Sequence, residues 1–155
     1  MTPAVNVLKK HRIPYTIHRY THDPGSTAYG LEAAEKLELD PAQVFKTLVI
    51  EVDNCSLAVA VIPVKKMLNM KFAARTFGAK KAQMADPKTV EKVTGYIMGG
   101  VSPLGQKKKL ATAIDISATN FPTIFISGGR RGLDIQIDPQ DLAKLTGAAF
   151  SQLSE

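Results

Sequence analysis

Apolar residues recur along the chain at helical spacing, and polar capping residues mark where the helices begin. Three Asp-Pro pairs, at Asp40, Asp86 and Asp138, each combine a capping carboxylate with a proline suited to the first helical position. Each pair predicts a helix or a helical turn, and the last two helices are expected to end at Gly95 and Gly147. Further helices are predicted from Thr2 to about residue 11, from a cap at Thr27, and over residues 67–77.

Apolar runs with β-branched residues predict strands between these helices. The predicted strands span residues 13–20, 44–52, 57–62, 110–116, 123–127 and 133–137. Asp53-Asn54 and the segment 128–132 each join two such runs, which is typical of hairpins. Strict βαβ alternation is absent. The pattern therefore predicts one α+β domain over residues 1–155, with a mixed, mostly antiparallel sheet that curls into a barrel-like core surrounded by helices.

Composition narrows the choice of compartment and partner. The formal net charge is +6, from 20 Lys and Arg against 14 Asp and Glu, which favours an anionic partner such as nucleic acid or a phosphorylated ligand. Cys55 is the only cysteine, so no intrachain disulfide and no cysteine-rich metal centre is expected. Neither a signal peptide nor a membrane-spanning segment is recognisable. We expect a cytoplasmic protein that needs neither metal nor cofactor.

Lys46 is the residue that fits its pattern least well. Strand periodicity places it on the same face as Val44, Leu48, Ile50 and Val52, which should point inward. A lysine in an apolar row is costly unless its ammonium group reaches an anion, carbonyl oxygens or a water-filled cleft. The alternative is a lysine at the end of a strand whose stem packs while its charged end reaches solvent.

Glycines interrupt the chain between Gly95 and Gly105, in the segment Gly-Tyr-Ile-Met-Gly-Gly-Val-Ser-Pro-Leu-Gly. Such a loop can bring bare backbone close to a ligand, or it can be a plain turn. It matches neither the nucleotide-binding GxxxxGK[ST] motif nor the dinucleotide GxGxxG motif, so neither ATP nor NAD is implied. We refer to residues 95–105 as the glycine loop.

Basic residues flank these features, but conventional catalytic pairs are missing. Arg130 and Arg131 occupy a hairpin tip, and Lys107 and Lys108 follow the glycine loop; such groups either bind phosphate or face solvent. No cysteine, serine or histidine stands in a recognisable nucleophile-and-base arrangement. This absence needs a mechanism if the protein is an enzyme.

Several segments in this order resemble the YbaK family of aminoacyl-tRNA deacylases, which is related to the editing domain inserted in bacterial prolyl-tRNA synthetases. The resemblance covers nearly the whole chain. Its matching segments are Thr2-Pro3-Ala4, Ile13-Pro14, residues 20–24, Glu32-Ala33-Ala34, Phe45-Lys46-Thr47-Leu48, the glycine loop, and residues 127–133.

The resemblance implies release of cysteine from Cys-tRNA(Pro), with Cys-tRNA(Cys) as a further substrate. Prolyl-tRNA synthetase cannot fully reject cysteine, since a difference of one methylene provides only about 1–3 kcal/mol of discrimination. In this family the substrate's own thiol is thought to attack its ester, which would supply the missing nucleophile.

The resemblance also implies roles for individual residues, with the tRNA 3′ end as ligand and prolyl-tRNA synthetase as a transient partner. Lys46 would bind the terminal adenosine phosphate or ester and offset negative charge. Gly99 and Gly100 would hold the aminoacyl group. The implied pocket residues are Tyr20, Tyr29, Thr47, Ser127 and Asp134, and the implied contacts to tRNA phosphate are Lys107, Lys108, Arg130 and Arg131.

Two alternatives stay open at this point. The protein could be an Ala-tRNA(Pro) deacylase, like the inserted synthetase domain. It could also be a tRNA-binding module that uses its positive charge without performing chemistry. An inward lysine beside a glycine-rich loop is difficult to explain on the second reading.

Overall fold

Five α-helices and eight strands form the chain, and a computed structural model describes all 155 residues. The helices are α1 (Pro3–Lys10), α2 (Tyr29–Lys36), α3 (Met70–Thr76), α4 (Pro87–Thr94) and α5 (Pro139–Thr146). The strands are β1 (Thr16–Arg19), β2 (Phe45–Val52), β3 (Ser56–Pro63), β4 (Ala82–Met84), β5 (Ala111–Asp115), β6 (Ile124–Arg130), β7 (Leu133–Ile137) and β8 (Ala149–Ser151). No α-helix exceeds eight residues, so none has the length that a bilayer crossing requires.

Capping side chains set most of the helix boundaries. Thr2, Asp86 and Asp138 each accept hydrogen bonds from backbone N–H groups in the first helical turn, and a proline follows each of them. The helices predicted at these three positions are confirmed. The predicted ends of α4 and α5 at Gly95 and Gly147 are confirmed as well.

The other predicted helix starts have different outcomes. α2 follows Ala28, whose side chain makes no capping hydrogen bond, so the predicted cap at Thr27 is wrong. Asp40 accepts the Ala42 N–H at 2.9 Å and begins a turn, which confirms the shorter form of the predicted helix or helical turn. α3 is shorter than predicted, since Asn69 caps it through its side chain.

The strands form two open sheets, so the expected barrel-like closure is not confirmed. One sheet has three strands in the order β1-β7-β6, and the other has five in the order β4-β2-β3-β5-β8. Most strand pairs are antiparallel. Two pairs are parallel, β3 with β5 and β5 with β8. The mixed α+β class is as predicted. β4 and β8, with three residues each, are too short to leave a recognisable sequence pattern.

The two faces of β2 are both covered, which determines the surroundings of its lysine. Phe45 and Val49 on one face belong to the main core, where the two sheets and α1 meet. Ile50 and Val52 on the other face pack against α3 through Ala73. Helix α3 reaches only the far half of β2, so the beginning of that strand is left for another element to cover.

The junction between the two sheets lies at the beginning of β2. Val44 forms an isolated bridge with Phe125 of β6, and α2 packs Ala34 against both of these residues and against Val64. Three segments therefore converge here: α2, the start of β2 and the β6–β7 hairpin. The concave surface between them is the candidate site.

Candidate active site

A cleft of about 280 Å³ opens at this junction. Its walls come from α2 and the segment before it, the start of β2, the glycine loop, and the β6–β7 hairpin. The lining is largely apolar with a few polar groups, as is common in ligand-binding clefts. The lining residues are Tyr20, Thr27, Ala28, Tyr29, Gly30, Leu31, Ala33, Val44, Phe45, Lys46, Thr47, Leu48, Val64, Met98, Gly99, Val101, Ser127 and Asp134.

Lys46 lies in this cleft with almost no partner from the protein. It is half-buried on β2 opposite Ile62, and its Nζ donates only one long hydrogen bond, 3.5 Å to the Val64 carbonyl oxygen. The ion pairs in the structure all involve Glu32, so no carboxylate neutralises Lys46. Burial lowers its pKa below the usual value. The sequence prediction of an inward-facing lysine on this strand is confirmed, and its ammonium is free to bind an anion or an ester oxygen.

The opposite wall of the cleft carries a buried carboxylate and a phenol. Asp134 on β7 pairs with Ser127 in the sheet register, and burial raises the pKa of its carboxyl to about 7. Burial, together with the nearby Asp134 carboxylate, raises the pKa of Tyr20 to about 12, so that phenol stays protonated. The Thr47 hydroxyl is buried and has no hydrogen-bond partner. The cleft therefore holds one buried hydroxyl without a partner, beside a carboxyl and a phenol whose pKa values burial raises.

The two predicted glycines of the glycine loop have different positions. Gly99 lines the cleft with φ +88°, and a Cβ there would lie 2.6 Å from the Tyr29 ring. Gly100 does not line it: a Cβ there would lie 2.7 Å from the Arg130 Cα, and its N–H already donates to the Ile97 carbonyl oxygen. Close packing against the hairpin accounts for this glycine, and its role in holding the aminoacyl group stays a prediction.

Arg131 connects three segments at the rim of the cleft. Its Nε donates to the Met98 carbonyl oxygen at 2.9 Å, and its Nη2 donates to the Tyr29 hydroxyl at 3.1 Å. The guanidinium also lies over the Tyr29 ring, 4.8 Å from the centroid. These contacts use Nε and Nη2 of the guanidinium and connect the glycine loop, α2 and the β6–β7 hairpin. The contact of Arg131 with tRNA phosphate stays a prediction.

The other predicted phosphate ligands remain on the surface. Lys107 and Lys108 follow the glycine loop, and their backbone N–H groups donate to the Thr94 and Val93 carbonyl oxygens at the end of α4. Their side chains are exposed, as is that of Arg130 at the hairpin tip. None of the three forms an ion pair within the chain. They lie outside the cleft lining, so they can only contact parts of a ligand that extend beyond it.

A buried acid below the cleft was not singled out as a functional residue from the sequence. The Glu32 carboxylate is 2.6 Å from His22 Nδ1, accepts the Asp23 N–H at 2.8 Å, and lies 3.3 Å from Lys36 Nζ. Burial alone would raise its pKa, but the hydrogen bonds from His22, Asp23 and Lys36 outweigh burial and lower it. The His22 ring also lies 5.7 Å from the Tyr29 ring. Glu32 thus anchors the segment that leads into the cleft wall.

The cleft contains no nucleophile hydrogen-bonded to a base. The Ser127 hydroxyl accepts the Gly129 N–H, His18 is bonded to Gln136, and Cys55 is exposed at the β2–β3 turn. No group of three or more His, Cys, Asp or Glu side chains is arranged to hold a metal ion. Lys46 is the positively charged group that lines this cleft, and it has almost no partner, with one 3.5 Å contact and no ion pair.

Comparison with known proteins identifies the family. The model of the aminoacyl-tRNA editing domain matches residues 22–145, which include every residue that lines the cleft except Tyr20. The chain belongs to this family. It is 33% identical to EbsC of Enterococcus faecalis, over 99% of this chain and 93% of that protein. EbsC is named as a proposed Cys-tRNA(Pro)/Cys-tRNA(Cys) deacylase. The protein YwhH of Bacillus subtilis is 28% identical over 78% of this chain and 76% of its own length.

Solved structures show the same fold. A proposed trans-editing enzyme for prolyl-tRNA synthetase is similar to this editing domain with a TM-score of 0.83 and 25% identity, over 99% of this chain and 95% of that one. The hypothetical protein APE2540 has a TM-score of 0.88 and 24% identity, over 99% of both chains. The resemblance to the YbaK type of editing domain that was stated from the sequence is confirmed.

Proposed function

We propose that this editing domain is a free-standing deacylase that releases cysteine from Cys-tRNA(Pro). The observation that carries the proposal is the Lys46 ammonium, which lies in the cleft with one long contact and no counterion. An ammonium in this state is suited to an ester oxygen or to the phosphate of the terminal adenosine. The name of EbsC, with 33% identity across nearly the whole chain, supports cysteine as the amino acid.

The reaction we propose uses the thiol of the substrate as its nucleophile. The thiol loses its proton to solvent, and its sulfur attacks the ester carbonyl carbon to form a four-membered thiolactone. The bond between that carbon and the ribose oxygen breaks, and the ribose oxygen takes up a proton. Water then opens the thiolactone to give free cysteine. The absence of a protein nucleophile paired with a base in the cleft supports this route.

Lys46 contributes by charge and position in this scheme. Negative charge develops on the carbonyl oxygen as the sulfur attacks, and a fixed ammonium in a partly buried site stabilises that charge more than water does. Tyr20, Tyr29, Thr47 and Gly99 shape the space around the aminoacyl group. The reacting atoms are thereby held close to each other, which raises the rate without a protein nucleophile.

Prolyl-tRNA synthetase is the partner we propose for selecting the tRNA. The similarity to a proposed trans-editing enzyme for that synthetase supports the pairing. The cleft binds only the end of the tRNA, so the identity of the tRNA must be read elsewhere. In a transient complex, the synthetase would recognise the tRNA. Exposed Lys107, Lys108 and Arg130 are available to the tRNA phosphates near the cleft.

The test is single-turnover deacylation of tRNA(Pro) charged in turn with cysteine, serine and alanine. We expect rapid release of cysteine and negligible release of serine, because a hydroxyl is a much weaker nucleophile than a thiol near neutral pH. Rapid release of serine would refute attack by the thiol and indicate bound water. Preferential release of alanine would refute the cysteine assignment. Binding of tRNA without any release would refute the enzymatic proposal as a whole.

A further inference from the structure

Asp134 is a buried acid without a protein partner. It lies in the middle strand of the three-stranded sheet, between His18 of β1 and Ser127 of β6, and only 6% of its surface is exposed. Its carboxylate forms no hydrogen bond and no ion pair within the chain, yet it lines the cleft. A buried carboxylate in this state is costly, because nothing replaces the water that it lost.

None of the neighbouring polar groups forms a hydrogen bond or an ion pair with the Asp134 carboxylate. The His18 ring bonds Gln136 at 2.9 Å, and the Ser127 hydroxyl accepts the Gly129 N–H. Lys46 donates to the Val64 carbonyl oxygen and forms no ion pair with Asp134. Burial raises the pKa of the Asp134 carboxyl to about 7, as expected for an acid that lacks a cation. A ligand that brings its own positive charge would complete this site.

We propose that Asp134 binds the protonated α-amino group of the aminoacyl ester. This inference rests on the proposed function, since it concerns the same substrate. An aminoacyl ester carries its ammonium on the carbon next to the ester carbonyl, so both groups occupy one small cleft. Lys46 and Asp134 present opposite charges to that cleft without neutralising each other. The pair can therefore bind the ester oxygen and the ammonium of one substrate at the same time.

The consequence is a requirement for a free α-amino group. In peptidyl-tRNA and formylaminoacyl-tRNA the α-nitrogen is part of an amide and carries no charge. Such substrates would leave the Asp134 carboxylate unpaired and would bring an additional acyl group into a cleft of about 280 Å³. The enzyme would thus hydrolyse aminoacyl esters while sparing tRNAs that carry a blocked amino group.

The experiment compares two substrates that differ only in the amine. Wild-type enzyme is given Cys-tRNA(Pro) and its desamino analogue, mercaptopropionyl-tRNA(Pro), which keeps the ester and the thiol. We expect kcat/KM to favour Cys-tRNA(Pro) by about 10- to 100-fold, the usual effect of a hydrogen bond to a charged group. In Asp134→Asn the preference should fall to within about threefold, because the charge is lost while the shape is kept. All rates are measured at one neutral pH, since the ionisable side chains of Tyr20, Lys46 and Glu32 also lie near this wall.

Asp138→Asn is the matched control. This aspartate lies four positions along the same chain segment, is exposed, and caps α5, and asparagine caps equally well. It should keep the wild-type preference for the amine-bearing substrate. The control separates a general effect of removing one negative charge from an effect of the subsite itself.

The possible failures are distinguishable. Equal wild-type rates on the two substrates would overturn the ammonium subsite and leave the deacylase intact. Retention of the wild-type preference in folded Asp134→Asn would overturn the assignment to Asp134. Failure of wild-type enzyme to release any amino acid would instead overturn the proposed function. The wild-type comparison needs no variant, so equal rates on the two substrates would overturn the subsite even if Asp134→Asn does not fold.

Discussion

Asp115 and Asp134 are both buried aspartates at the edges of the core, but they have opposite surroundings. Asp115 is 4% exposed and accepts hydrogen bonds from Leu153, Ser154 and Ser117, the shortest 2.6 Å from the Ser117 hydroxyl. Asp134 is 6% exposed and accepts none. The first ties the end of the chain to β5, and the second lines the cleft. Burial alone therefore does not distinguish the structural acid Asp115 from the acid that we propose binds substrate, whereas their hydrogen-bond partners differ.

Lys46 is the positively charged residue of the cleft and resembles Asp134 in its lack of partners. It too is held by the fold with almost no partner, so its removal should cost activity and little stability. Lys46→Ala is expected to lower the rate of cysteine release by about 10²–10³-fold, the usual effect of losing a group that stabilises developing charge. Single-turnover deacylation measures the rate. Lys71→Ala, which removes an exposed lysine from α3, is the control and should retain the wild-type rate.

Asp115 should show the reverse behaviour. Asp115→Asn keeps the size of the side chain but cannot accept all the hydrogen bonds that converge on the carboxylate. We expect the free energy of unfolding to fall by about 1–3 kcal/mol, as is typical when buried donors lose a charged acceptor. Urea unfolding monitored by circular dichroism measures the change. An unchanged urea midpoint would show that the bonds to the end of the chain contribute little.

Asp134 should affect the pH dependence of stability. Its carboxyl titrates near pH 3.8 when unperturbed and at about 7 in the fold, so the folded state binds the proton more tightly. Between these two values unfolding releases a proton, and the contribution of this group to stability is therefore lost as the pH rises. Asp134→Asn has no ionisable group at this position, so its stability does not fall in this way as the pH rises.

The measurement is a series of urea unfolding curves of both proteins across this pH range. The difference in unfolding free energy between Asp134→Asn and wild type should increase in favour of the variant from about pH 4 to 7 and then level off. A difference that does not change with pH would contradict the unpartnered state of this carboxyl.

The arginines at the rim give the smallest expected effect. Arg130 is exposed and is predicted to contact tRNA phosphate, whereas Arg131 is held by Met98 and Tyr29. Arg130→Gln should reduce the slope of tRNA affinity against salt concentration by about 0.7–0.9. Arg131→Gln should leave that slope unchanged and lower the rate of release severalfold. Binding titrations over a range of salt concentration measure the slopes, and equal losses of slope would contradict the distinction.

The sequence predicted those parts of the molecule that depend on local patterns. The alternation in β2 correctly gave an inward Lys46, and the capping residues correctly gave α1, α4 and α5. The prediction at Thr27 was wrong, because packing of the helix against the sheet junction determines where α2 begins.

The contacts between distant segments could not be predicted in the same way. No local sequence pattern indicates that the Arg131 guanidinium contacts Met98 and Tyr29. The bond between His22 and Glu32 was missed since ten residues and a turn separate them. The unpartnered state of Asp134 is also invisible in sequence. It depends on which neighbours on β1 and β6 are already engaged.

The most direct test of the account is cysteine release from Cys-tRNA(Pro), measured for wild type, Lys46→Ala and Asp115→Asn and divided by the folded fraction of each protein. Asp115→Asn should keep a rate within about twofold of wild type, because distant sites act independently. Lys46→Ala should remain at least about 100-fold slower. A folded Lys46→Ala protein that releases cysteine at the wild-type rate would contradict the assignment of this cleft as the editing site.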